Sequence, residues 1–219
     1  MPRPERIPRF SRTVRYTHRV TSALFLLLAA TGLVLYVPSF SLSIGRRPLM
    51  EAVHVSAGLL LPVPALAAWL SPAFRADMQA LNRFTTADRM WLRRSDRRAA
   101  RLPIGKFNAG QKLAAACFAA GMVVLFGTGI MLLIPTQLHL STGLREGATV
   151  VHDTTTWAAL ALLLGHTWLA FTHPEARRAL RDGTINTRYA VREYPLWARQ
   201  VLNERDDQVV AKAHLGPVR

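Results

Sequence analysis

The chain has 219 residues, half of them hydrophobic, and its 28 Lys and Arg against 13 Asp and Glu give a formal net charge of +15. Four apolar stretches are each long enough to cross ~30 Å of hydrocarbon, which predicts an integral membrane protein rather than a soluble domain. Asp153 is the one Asp, Glu, Lys or Arg within them. The stretches cover residues 20–37, 52–70, 113–134 and 148–172.

In chain order, a basic lead-in before the first span is expected to become helical near Ser11, a plausible N-cap. The second span contains Pro62 and Pro64, which should kink or distort it. The third span is rich in small residues and ends at Pro135. We therefore predict an all-α, four-helix membrane bundle as a single domain over residues 1–219. Residues 173–219 are expected to form short amphipathic segments of a tail on the cytoplasmic surface.

The basic residues are concentrated in alternate segments between the predicted spans. Six precede the first span, ten lie between the second and third spans, and nine follow the fourth, whereas the other two loops carry three. The positive-inside rule then predicts a multi-pass membrane protein with both termini cytoplasmic. The basic segments also suit anionic lipid headgroups. No groove-reading or aromatic motif accompanies them, so a nucleic-acid partner is not expected.

Four histidines sort by depth under this topology. His152 and His166 lie 14 residues apart in the fourth span, nearly on one helical face and ~21 Å apart along the axis. His18 opens the first span from the inner side, and His54 opens the second from the outer side. The sequence thus predicts an inner pair, His18 with His166, and an outer pair, His54 with His152.

Paired imidazoles on facing helices are typical axial ligands of haem b, so the two pairs predict two haems across the membrane. Gly32 lies 14 residues after His18 and would give a porphyrin room at the outer level, although it could equally be a helix-packing residue. The alternatives for the histidines are hydrogen-bonded interhelical contacts, or a zinc or di-iron site. A zinc or di-iron site would need carboxylates or cysteines nearby, and Asp153 alone supports it weakly.

A second motif, GKFNAGQK at residues 105–112, lies just before the third span. It would place Asn108, Gly110 and Gln111 at the cytoplasmic membrane boundary, where such groups can hydrogen-bond a quinone carbonyl. The alternative is that Asn108 is the N-cap of the third span, with a glycine near its start. Residue chemistry alone favours the N-cap.

The chain resembles the gamma subunit of respiratory formate dehydrogenase, a four-span cytochrome b with two haems. The resemblance covers nearly the whole chain. It is carried by RFSRTVRYTH at residues 9–18, His54, the GKFNAGQK motif, the spacing of His152 and His166, and the Gly-Thr-Ile that begins at Gly183.

The resemblance implies an outer haem b on His54 and His152 and an inner one on His18 and His166. It also implies a menaquinone or ubiquinone pocket around Asn108, Gly110 and His166. The chain would then anchor an iron–sulfur (beta) subunit, bound in turn to a molybdenum- or tungsten-containing catalytic (alpha) subunit. Electrons would pass from the outer iron–sulfur subunit through two haems to quinone near the cytoplasmic face. The alternatives are a hydrogenase-type cytochrome b subunit and a non-enzymatic haem-binding membrane sensor.

Overall fold

The computed structural model describes residues 4–93 and 102–214, which are almost entirely α-helical, as predicted. Arg3, Arg94, Arg97, Arg98, Arg101 and Arg219, which contribute to the charge asymmetry, lie outside the described residues. In chain order the elements are β1 (Arg6–Pro8), α1 (Arg12–Tyr36), α2 (Pro38–Ile44), α3 (Arg47–Leu60), α4 (Val63–Ala68), α5 (Pro72–Asn82), α6 (Thr86–Arg93), α7 (Ala109–Leu133), α8 (Thr142–Thr172), α9 (Pro174–Asp182), β2 (Thr184–Asn186), α10 (Thr187–Glu193) and α11 (Pro195–His214).

Three stretches of the described residues are long and apolar enough to cross a membrane, namely Arg12–Tyr36, Arg47–Ala68 and Ala109–Leu133. They contain most of the first three predicted spans. Helix α8 has 31 residues but is not among the three. Two histidines, an aspartate and several threonines interrupt its apolar stretches. A fourth span at α8 and the cytoplasmic location of both termini therefore stay predictions.

The second span is interrupted where the sequence predicts it. Helix α3 ends at Leu60 and α4 begins at Val63, with a turn at Leu61 and Pro62 between them. Proline has no N–H to donate, and its ring clashes with the preceding helical turn, so it breaks the regular hydrogen-bond pattern. The Leu61 amide instead donates to the Gly58 carbonyl, 3.3 Å away, which tightens the last turn.

The described residues divide into two compact units. The first, which we call the helical unit, covers residues 12–75 and 116–172. Within it α1 contacts several helices, including α3, α7 and α8. Phe25 packs edge-on against Phe118 of α7 at 6.0 Å, and Tyr36 packs edge-on against Trp157 of α8 at 5.7 Å. Leu28 approaches the Gly58 position of α3. Helix α1 therefore helps to position side chains from all three neighbours.

The second unit, the terminal unit, covers residues 4–11, 76–93, 102–115 and 173–214. Its centre is a two-stranded antiparallel sheet in which Ile7 of β1 faces Ile185 of β2, and both side chains are fully buried. Whereas the sequence predicts only surface segments for the tail, the structure packs residues 179–198 into a shared apolar core. The core consists of Ile7, Leu102, Ile104, Ala179, Ile185, Ala190, Tyr194, Trp197 and Ala198.

Gly183 makes the reversal that lets β2 meet β1. It ends α9 in the left-handed conformation at φ 86°, which a residue with a side chain rarely adopts. Its carbonyl accepts hydrogen bonds from the amides of Arg9 and Phe10, at 2.8 and 3.2 Å. The glycine therefore both terminates the helix and fixes the residues that follow β1.

Arg9 is a buried cation of the terminal unit, with 5% of its surface exposed. Its guanidinium lies 3.9 Å from the ring centre of Tyr194 and 5.0 Å from that of Trp197, distances typical of cation–π interactions. Nη2 donates to the Lys106 carbonyl at 2.6 Å. Arg9 thereby joins the lead-in, the 105–112 motif and the start of α11.

Candidate functional site

The four histidines lie on three helices of the helical unit, with His18 on α1, His54 on α3, and His152 and His166 on α8. Their rings form two pairs. The ring centres of the inner pair, His18 and His166, are 6.3 Å apart, and those of the outer pair, His54 and His152, are 6.5 Å apart. Because α8 is continuous, the 14 residues between its two histidines separate the pairs by ~21 Å.

Both separations suit one metal ion held between two imidazoles. A bond from a metal to an imidazole nitrogen is about 2 Å long. Ring bonds of about 1.35 Å place each ring atom about 1.1 Å from the ring centre. Two rings on opposite sides of a metal ion therefore have centres about 6.3 Å apart. The histidines present thus fit the axial ligand sets of two haems.

Two threonines orient the outer pair. The Thr31 hydroxyl lies 2.9 Å from Nδ1 of His54, and the Thr128 hydroxyl lies 2.8 Å from Nδ1 of His152. Each hydroxyl donates its single proton to a carbonyl one turn earlier in its own helix, that of Leu27 or Val124, at 2.8 Å.

A hydroxyl that donates to its helix carbonyl can only accept from the ring, and this network assigns the proton of each outer histidine to Nδ1. The backbone carbonyls of Leu28 and Leu125, which also can only accept, interact with the same two rings. Nε2 is then the unprotonated nitrogen, and its lone pair is available to a metal ion.

Each of these threonines is followed by a glycine that gives its histidine room. A methyl group on Gly32 would come within 3.3 Å of Cε1 of His54, and one on Gly129 within 3.7 Å of Cε1 of His152. Gly32 therefore lies at the outer level, as predicted, but its structural neighbour is the imidazole. The sequence analysis missed Thr31, Thr128 and Gly129. A Thr-Gly dipeptide 23 or 24 residues before a histidine was the available signal.

The inner pair has different surroundings. The Ser22 hydroxyl lies 3.5 Å from Nδ1 of His18, at the outer limit of a hydrogen bond. The His166 ring instead packs edge-on against Phe118, with ring centres 5.6 Å apart. Among the described residues no hydroxyl lies as close to an inner histidine as those of Thr31 and Thr128 lie to the outer ones.

Other metal sites find little support in the described part of the chain. No group of three or more His, Cys, Asp or Glu side chains is arranged there to hold a metal ion. Zinc sites usually take at least three such ligands. His173, which the sequence places on one helical face with His166, lies beyond the end of α8 and precedes α9. The two-ligand arrangement is therefore the one that these histidines form.

The GKFNAGQK motif begins α7 with reciprocal capping contacts. Oδ1 of Asn108 accepts from the Gln111 amide at 2.9 Å, and Oε1 of Gln111 accepts from the Asn108 amide at 3.1 Å. This is a capping box, which satisfies amides that have no partner within the helix. The side-chain oxygens of Asn108 and Gln111 therefore make the contacts expected at the N-terminus of a helix.

The remaining groups of the motif are also packed. Nε2 of Gln111 donates to the Tyr194 hydroxyl at 3.1 Å. A methyl group on Gly110 would lie 2.9 Å from Cη2 of Trp91, closer than van der Waals contact allows. Gly110 therefore gives Trp91 close access to α7.

A family model described as prokaryotic cytochrome b561 matches residues 9–182, most of the chain. The chain belongs to the prokaryotic cytochrome b561 family. Among curated proteins, none matches it significantly. The matched region contains all four histidines, both threonines and the GKFNAGQK motif. The protein is thus a membrane cytochrome that binds haem b and transfers electrons, which confirms the coarser part of the sequence prediction.

Two buried ion pairs fasten the motif of this cytochrome b561 to α5 and α6. Lys106 pairs with Asp77, and Lys112 with Asp88, whose carboxylate also accepts from the Thr85 amide and hydroxyl. Burial raises the pKa of Asp77 above its usual value despite Lys106. Burial also tends to raise the pKa of Asp88, but hydrogen bonds from Lys112 and Thr85 outweigh it and lower that pKa. Asp88 is therefore held as a carboxylate.

We expect the change Lys112→Met to destabilise the protein by about 3–5 kcal/mol, because it leaves the Asp88 charge buried without a partner. Adding Asp88→Asn should restore most of the loss, since an amide can still accept from Thr85 and carries no charge. Arg178→Met is the matched control, because Arg178 pairs with Glu175 at the surface and such pairs contribute about 1 kcal/mol or less.

Denaturant unfolding of the detergent-solubilised protein provides the measurement. A single variant that is as stable as the control, or a double variant no better than Lys112→Met, would contradict a buried ion pair.

Proposed function

We propose that the chain binds two haems b, the outer one between His54 and His152 and the inner one between His18 and His166. The observation that carries the proposal is the pair of ring separations, 6.3 and 6.5 Å, each of which fits an iron between two imidazoles. Haem b, when bound, supplies reversible one-electron chemistry at its iron. The chain's own contribution is to hold the two ligands of each pair on different helices.

The proposed function is that of the membrane anchor and electron-transfer subunit of a respiratory formate dehydrogenase. In this arrangement α8 forms the fourth span and both termini are cytoplasmic, so the outer pair faces the iron–sulfur partner. The pairs lie ~21 Å apart along α8, most of the ~30 Å thickness of the hydrocarbon layer. Electrons would thus enter at one face and leave near the other.

The oxidation of formate itself must be carried out by a partner. Iron–sulfur clusters are usually held by four cysteine thiolates, whereas this sequence has one cysteine, Cys117. The chain therefore suits a quinone-reducing role, in which quinone takes up two electrons and two protons to become quinol. With formate oxidised outside and protons taken up inside, turnover would charge the membrane.

Asn108, Gly110 and Gln111 remain the proposed quinone contacts at the inner face, with His166 nearby in the family resemblance. The capping box uses the side-chain oxygens of Asn108 and Gln111, and Gln111 also donates to Tyr194. The Asn108 Nδ2 group donates to no other side chain or backbone group among the described residues. It is therefore the group of the motif best suited to donate to a quinone carbonyl.

Two haems per chain are expected in a pyridine haemochrome assay of the purified protein. Replacing His54 or His152 by Ala should remove the outer haem and leave one haem per chain, because the inner ligands are untouched. His139→Ala is the matched control, since His139 lies in the 136–141 loop outside both pairs. One haem or none in the parent protein, or loss of the inner haem alone in the His54 variant, would overturn the assignment.

The partner is tested by the subunits that co-purify with the tagged chain from native membranes in mild detergent. An iron–sulfur protein together with a molybdenum or tungsten enzyme that oxidises formate is the expected result. A nickel–iron enzyme would instead favour the hydrogenase-type alternative, and haem without any redox partner would favour a sensor.

The change Asn108→Asp should slow quinone reduction several-fold while both haems are retained. Aspartate preserves the N-cap oxygen but removes the Nδ2 donor, and a lost hydrogen bond costs about 1 kcal/mol. Asn203→Asp, an exposed asparagine on α11, controls for the added charge. The assay follows reoxidation of the formate-reduced haems by added quinone. A parental rate, or a slow rate caused by loss of haem, would show that the pocket is elsewhere.

A further inference from the structure

The outer and inner pairs both consist of two histidines, but they differ in the hydrogen bonds that their rings make. Both outer imidazoles donate from Nδ1 to a threonine hydroxyl, at 2.9 and 2.8 Å, whereas His18 has only the Ser22 hydroxyl at 3.5 Å. His166 packs against the edge of Phe118. The same three-residue arrangement, Thr and Gly on one helix and His on another, thus occurs twice at the outer pair.

We propose that Thr31 and Thr128 are a matched pair of positioning residues that fix the outer imidazoles and lower the reduction potential of the outer haem relative to the inner one. The inference rests on the proposed bis-histidine ligation. A hydrogen bond from the far nitrogen of a ligating imidazole makes the ring a stronger electron donor to its metal. A stronger donor stabilises ferric over ferrous iron and so lowers the potential.

The threonine hydroxyls are held in place for this role. Each is tied to the carbonyl one turn earlier, at 2.8 Å, so its proton points along its own helix and a lone pair points to the ring. A free rotor could donate to Nδ1 instead, and would then stabilise the tautomer that has no lone pair at Nε2. The backbone bond therefore selects the tautomer that can bind iron.

The two threonines bond the two histidines that would hold one iron, since the His54 and His152 ring centres are 6.5 Å apart. Their effects on the potential should therefore add. The inner pair lacks an equivalent short hydrogen bond in the described residues, so its potential should lie higher. Electron flow from the outer haem to the inner haem is then energetically downhill, which is the direction that the proposed function requires.

The experiment is a redox titration of the haem absorption bands in membranes that contain the whole complex, for Thr31→Val, Thr128→Val and the double variant. Valine keeps the shape of threonine and removes the hydroxyl, which leaves Nδ1 only a backbone carbonyl already engaged in its helix. Each single change should shift the outer-haem reduction equilibrium about threefold to tenfold, ~30–60 mV toward positive values at 59 mV per tenfold change. The double variant should shift it by the sum.

The inner haem should keep its potential in every variant, and the two haems are distinguished by the signal that disappears in His54→Ala. Thr31→Ser and Thr128→Ser retain a hydroxyl and should remain near the parent. Thr149→Val is the matched control, because that hydroxyl donates to the Arg145 carbonyl of its own helix and not to an imidazole. Haem content and protein level are measured for each variant alongside the potentials.

Unchanged outer potentials in both valine variants with haem retained would overturn the inference, as would equal shifts in the serine variants, or a shift of the inner haem. Loss of the outer haem in the valine variants, with retention in the serine variants, would support the positioning role. Loss in both would indicate packing and overturn it. A parent protein without two haems would instead refute the proposed ligation, and the inference with it.

Discussion

An imidazole among apolar helices has two ring nitrogens to satisfy and no water to satisfy them. At the outer pair one nitrogen of each ring donates to a threonine that is itself tied to its helix backbone. The other nitrogen is left with a lone pair, at a ring separation suited to a metal ion. Four helices meet at this level, because α1 and α7 supply the threonines and α3 and α8 the histidines. The hydrogen-bonding requirements of the two imidazole rings thus determine which helices must be neighbours.

The helices and the histidine pairs could be predicted because they depend on two simple sequence features, long apolar stretches and regular helical spacing. Apolar length marks the spans, and a 14-residue spacing places His152 and His166 on one face. The threonine contacts could not be predicted in the same way. A threonine within a helix normally bonds the carbonyl one turn earlier, as Thr149 and Thr156 do, and only the packed structure shows which hydroxyl also reaches a ring.

The terminal unit was the less predictable part of the fold. Strands of three residues, such as Arg6–Pro8 and Thr184–Asn186, are too short to show an alternating pattern, and they pair across nearly the whole chain. The count of positive charges also does not reveal which basic residues are packed or paired in the fold. Arg9, Lys106 and Lys112 all count toward the charge asymmetry of the sequence. Yet Arg9 is packed on aromatic rings, and the two lysines are bound to aspartates. A basic segment can therefore favour one membrane face and still fold.

Helix α8 shows that polar residues at the candidate site can weaken the hydropathy pattern that marks a membrane span. It holds one histidine of each pair, and the polar residues near these histidines interrupt its apolar stretches, so it does not qualify as a span as the other three do. Its continuity fixes the distance between the pairs, as does that of α1, which carries His18 at one level and Thr31 with Gly32 at the other. Phe25 lies seven residues from both His18 and Gly32 and packs on Phe118, so aromatic side chains fill the space between the levels. Because α1 and α8 contribute residues at both levels, a change that bent either helix would disturb the geometry of a histidine pair. The packing of α1 and α8 therefore affects both the distance between the two histidine pairs and the geometry within each pair.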